Sequence, residues 1–215
     1  MRTQLTKITL AAGIALAMAF TFSCSSDDGG DSGGGFDENA PILGEDGKPS
    51  NISGDIGMSG YDGYVGKATN GIVKLELPAT IPEESLHEIN DYYEDDEIEI
   101  CTITPNDTKI LESEFQLYNG GKQIGYLDIV STDLKTYVQS INYIYANKDV
   151  NIICNGTYTT VDGWTVKNIE NSNFKAGWNK RYKKSIWNES SKTSTHEYST
   201  DNILTKDVRW HLELD

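Results

Sequence analysis

Val73, Leu75 and Leu77 alternate with Lys74 and Glu76, and near the C-terminus Val208, Trp210, Leu212 and Leu214 alternate with Arg209, His211 and Glu213. A period of two puts one face of such a segment on a core and the other in water, so both ends of this region are predicted strands. Between them lie runs rich in β-branched and aromatic residues: Glu97 to Thr104, Phe115 to Tyr118, Gln123 to Val130, Tyr137 to Tyr145, Val150 to Tyr158 and Trp164 to Ile169. Asn119-Gly120-Gly121-Lys122 and Asp162-Gly163 supply the positive dihedrals that tight hairpins need, and Asn147 to Asp149 separate two more strands. Only Pro82 to about Tyr92 reads as helix, with an early proline, Glu83 and Glu84 in the first turn, and Leu86 and Ile89 three apart. Parallel sheets need a crossover for nearly every strand, and one short helix does not supply them. The expected fold is mainly β, an antiparallel two-sheet β-sandwich with one short helix; a closed barrel is the alternative.

The N-terminal pattern is different. Arg2 and Lys7 precede an uncharged run, Ile8 to Phe22. That run suits the apolar region of a secretory leader and falls short of the roughly 20 residues needed to cross a bilayer core. An uncleaved anchor helix or an N-terminal core helix is the other reading. Ser25 to about Gly57 is rich in Gly, Ser, Asp and Asn, with only scattered apolar side chains, a composition that buries too little surface to offset the entropy of ordering. The expected organisation is therefore a signal peptide over 1–23, a disordered tether over 24–57 and a β-sandwich domain over 58–215.

Cys24 stands at the end of the apolar run, between the small residue Ser23 and the pair Ser25 and Ser26. The segment resembles a gram-negative bacterial lipoprotein signal over about its first 26 residues. It departs from that pattern at Thr21, where the family carries leucine or another aliphatic, and at the bulky Phe22. The resemblance implies cleavage before Cys24, acylation of Cys24 on thiol and amine, and a membrane partner held through the lipid anchor. Two or three acyl chains give stable anchoring, because each buried methylene contributes about 0.8 kcal/mol. A serine after the cysteine resembles the outer-membrane class, and acids such as Asp27, Asp28 and Asp31 resemble the tethers of surface-displayed members. The segments INYIYANKDVNI, NFKAGWNKRY and VRWHLEL also look like a pattern in envelope lipoproteins with glycine-rich tethers, a group that implies no activity. With Cys24 given to lipid, Cys101 and Cys154 are left as an even pair in an exported domain, and a disulfide between them is expected. It would close a loop of about 50 residues and stabilise by roughly 3 to 4 kcal/mol.

Charge narrows the function classes. The chain has 18 basic and 33 acidic residues, net -15, and without Arg2 and Lys7 the balance is 16 against 33, or -17. Nucleic acid is not an expected partner, because duplex binding rests on neutralising phosphates with Lys and Arg. The basic run Lys180, Arg181, Lys183 and Lys184 reads as one face of a solvated strand. His87, His196 and His211 lack close metal-ligand spacing, and no nucleophile elbow, P-loop or dinucleotide fingerprint occurs. The sequence thus points away from an enzyme and names no cofactor. Glu94, Asp95, Asp96 and Glu97 would offer oxygen ligands to calcium, but without the EF-hand pattern they read as a solvated turn.

Two readings of function follow. The first is a membrane-anchored cell-envelope lipoprotein with a non-catalytic display role, contacting another envelope protein. The second is a surface carbohydrate-binding module that captures polysaccharide on exposed rings. Trp210 alternates inward and Trp164 enters a strand, which leaves Trp178 and Trp187 as its stacking candidates.

Overall fold

The turn chemistry read from the sequence places two hairpins correctly. A computed structural model of the chain describes residues 36–93, 99–131 and 137–214. Its strands are β1 (Gly54–Met58), β2 (Tyr61–Thr69), β3 (Ile72–Leu75), β4 (His87–Glu88), β5 (Cys101–Thr104), β6 (Lys109–Glu112) and β7 (Phe115–Asn119), followed by β8 (Lys122–Ser131), β9 (Tyr137–Ala146), β10 (Val150–Thr159), β11 (Thr165–Phe174), β12 (Gly177–Asn188), β13 (Thr193–Ser199) and β14 (Val208–Leu214). Gly120 and Gly121, at φ 59° and 79°, turn β7 into β8, and Gly163, at φ 83°, turns β10 into β11. Left-handed backbone of this kind carries a steric cost for any residue with a Cβ, which is why glycine stands there.

The protein is mainly β, and its strands form one hydrogen-bonded network instead of two separate sheets. The order is β3-β2-β1-β7-β8-β9-β12-β13-β11-β10-β5, with β14 on β8 and the β4–β6 pair on β9. Its two halves meet where β8 and β9 pair through only Ile129↔Ile141 and Val130↔Ser140. Despite that narrow joint, Val73 of β3 shares one buried cluster with Ile56, Phe115, Leu127, Ile141, Tyr143 and Trp210, so the sheet folds back around this core. Trp178 of β12 ties the fold-back, donating its indole N–H to the Pro78 carbonyl just past β3 at 2.8 Å.

Three expectations are corrected. The sheet is not wholly antiparallel, since β11 and β13 run parallel from Thr165↔Thr193 to Asn171↔Ser199. No crossover helix is needed, because β13 enters the fork between β11 and β12, whose connection is only Lys175 and Ala176. The helix over 82–92 is replaced by two 3₁₀ turns, Glu83–Ser85 and Ile89–Tyr92, around β4, which pairs His87 with Ile110. Leu86 and Ile89 enter different clusters, so they never share one helical face.

The tether boundary at 57 is the third. Phe36 bridges Val208 and stacks edge-on against Trp210 at 6.0 Å, and Leu43 bridges His211. Ile42 and Ile56 are both 0% exposed. Residues 36–57 therefore belong to the domain, and their few apolar side chains anchor them. A second, smaller cluster (Ile89, Tyr93, Ile110, Ile144, Val150, Ile152, Cys154 and Phe174) fills the opposite face of β9, β10 and β11.

Candidate functional site

Alternation along β12 sends Arg181 to the side opposite Trp178 and Tyr182, onto the second cluster. There its side chain is 4% exposed and pairs with Glu170 of β11, itself 0% exposed, at 2.6 Å. Such burial is tolerable when both charges are paired and most of their remaining polar atoms bonded, and here Arg181 Nε is the guanidinium nitrogen left without a hydrogen-bond partner. The Glu170 carboxylate also accepts the Tyr93 hydroxyl at 3.0 Å and the Ser172 hydroxyl at 2.7 Å. The other guanidinium arm donates to the Tyr92 oxygen at 2.6 Å, and the Tyr198 ring lies 3.9 Å from the guanidinium carbon. Burial alone disfavours the Arg181 cation, but Glu170 and the three tyrosines outweigh it and hold the charge in place. Burial pushes the Tyr92 and Tyr93 phenols far above their usual range, so both remain hydrogen donors.

This network reaches the surface through Glu112 of β6. The Tyr92 hydroxyl donates to one Glu112 oxygen, and Asn142 Nδ2 donates to the other at 2.6 Å. Glu112 lines a cleft of about 510 Å³ together with Ser59, Gly60, His87, Asp91, Tyr92, Glu114, Asp128 and Asn142. The cleft opens where β6 and β8 part along one edge of β9. Burial, then the nearby Glu213 and Glu114, raise the Asp128 carboxyl above its usual range, with His211 opposing. The lining offers carboxylate and hydroxyl oxygens and no lysine or arginine, so it suits hydrogen donors of positive or neutral charge.

His196 of β13 sits beside the network. Its Nδ1 is 2.8 Å from Ser185 Oγ, and its ring lies 5.8 Å from Trp187 and 6.3 Å from Tyr198. Burial, reinforced by Lys183, lowers its pKa from 6.5 to about 4. The folded state thus binds fewer protons than the unfolded chain between those values, so stability is full above pH 6.5 and declines as pH falls toward 4. Melting temperatures followed across that window are expected to drop, and H196Q is expected to flatten the slope. An unchanged slope in H196Q would assign the effect to other groups.

The sequence-based candidates fall in several places. Cys101 and Cys154 face each other across β5 and β10 and form a disulfide. Cys24 and the acidic run (Glu94, Asp95, Asp96 and Glu97) lie outside the described residues. Among the described residues, no three His, Cys, Asp or Glu side chains are grouped to hold a metal ion. Trp178 and Trp187 are not brought together. Nine positions apart on one strand, they point to opposite faces of β12, and both are half-buried. Trp178 is committed to the core, with its N–H on Pro78 and an edge-on contact to Tyr145 at 5.5 Å.

The basic run is a correction in the other direction. Arg181 is buried, and Lys180 lies 5.7 Å from the Phe36 and Tyr143 ring centres while pairing with Glu38 at 3.2 Å. Sequence reasoning had no means to find Glu170 and Glu38 as partners 11 and 142 positions away. No family model, curated protein or solved structure matches the chain.

Proposed function

We propose that this chain is an exported envelope lipoprotein, held in the outer membrane by acyl chains on Cys24, whose β domain acts by contact and not by catalysis. The observation that supports this most is the Cys101–Cys154 disulfide. A structural disulfide persists in oxidising compartments outside the cytosol. The pairing also leaves Cys24, at the end of the apolar run, as the one cysteine not taken by that bridge. A contact role agrees with how the cleft is built, because both Glu112 oxygens are engaged by Asn142 and Tyr92 and thereby brace β6 against β9. Since residues from Phe36 onward are part of the domain, any tether behind the anchor ends before Phe36.

Fractionation of cells producing the native chain and C24A tests the reading. The native protein is expected in the outer-membrane fraction and C24A in the soluble or inner-membrane fraction. A native protein found in the soluble fraction, or C24A retained in the outer membrane, would overturn the proposal.

A further inference from the structure

The strands β10, β11, β13 and the C-terminal half of β12 bury one face against the Arg181 network and leave the other open. Register sets this open face out in rows: Ile153 and Asn171, beside which Ser199 is buried; Asn155, Ile169, Glu197 and Lys184; Thr157, Lys167, Thr195 and Ile186; and Thr159, Thr165, Thr193 and Asn188. Ile153 and Ile186 are each 51% exposed, unlike the other isoleucines of these strands. The face carries Lys167, Lys184 and Glu197, two positive charges and one negative, for a net +1 on a chain of net -15.

We infer that this face docks a second copy of the same chain. Two molecules of net -15 repel wherever acidic surfaces meet, and a face with almost no net charge is where they approach at least cost. Lys184 and Glu197 are cross-strand neighbours, so a two-fold rotation can lay each against its opposite, the self-complementarity that an isologous contact requires. Four strands about 4.8 Å apart and four rows about 6.7 Å apart give a flat area on the order of 500 Å². That is somewhat below the roughly 800 Å² per partner of a standard interface, so a reversible dimer is expected and not an obligate one. Two such faces can stack at the usual sheet separation of about 10 Å, with threonine and isoleucine side chains between them.

Sedimentation equilibrium of the full chain in density-matched non-ionic detergent tests this across micromolar to millimolar concentrations. The expected result is a reversible dimer that tightens with added salt, as repulsion between the acidic bodies is screened. The double variant I153R/I186R should weaken it at least tenfold while leaving the melting temperature unchanged, since both side chains are exposed. C24A should dimerise as the native chain does, so a failure here leaves the anchoring proposal standing. A monomer at every concentration, a dimer indifferent to I153R/I186R, or one that salt weakens as it would a cationic partner, overturns the inference.

Discussion

Replacing Arg181 by methionine is expected to destabilise the domain by about 3–5 kcal/mol, the usual consequence of removing one partner from a buried ion pair. The reason lies in what remains. Glu170 would be left as a buried carboxylate with only the Tyr93 and Ser172 hydroxyls, and the Tyr92 oxygen would lose its donor. Methionine fills much of the volume, so packing loss is the smaller part. R181M/E170Q removes the stranded charge and is expected to recover a substantial share of the loss. Urea unfolding of the native, single and double variants measures both. A single variant within about 1 kcal/mol of native would mean that the pair is not buried as described.

The second large effect is the disulfide. Cys101 and Cys154 are 53 positions apart, and cross-linking a loop of that length removes denatured-state entropy equivalent to about 4 kcal/mol. C101S/C154S is therefore expected to shift the urea midpoint downward and to steepen the slope, because the unbridged denatured chain exposes more surface. β5 is a four-residue edge strand held by one neighbour, so its amides should lose hydrogen-exchange protection first. Equal midpoints for native and variant, each measured without reductant, would show that the bridge does not form in solution.

What the sequence disclosed and withheld has a common cause. The hairpin from β7 to β8, the long strands β8, β9 and β10, and the terminal β14 were legible because their inward positions are apolar and their turns carry glycine. The buried face of β12, and β13 altogether, were not, since GWNKRYKKSIWN and TSTHEYS place charge and hydroxyls where a core would need hydrocarbon. Their inner face is a polar network, bonded to Glu170, Tyr92 and Ser185 except at Arg181 Nε, and alternation of hydropathy carries no signal for such a face. Residues 36–57 misled for the opposite reason. Averaged composition hides a few apolar residues, and Phe36, Ile42, Leu43 and Ile56 happen to be the ones that dock. The candidate site was least legible of all, because Glu112, Glu170 and Arg181 gain their meaning only from partners distant in the chain.

In the proposed protein one of the three sulfurs is in lipid, and the other two form the Cys101–Cys154 bridge. Intact mass spectrometry of protein extracted from native membranes without reductant, followed by thiol alkylation, tests it directly. The account predicts a chain beginning at Cys24, heavier by its acyl groups, with no thiol open to alkylation. A chain that retains residues 1–23 and alkylates at Cys24 would contradict it.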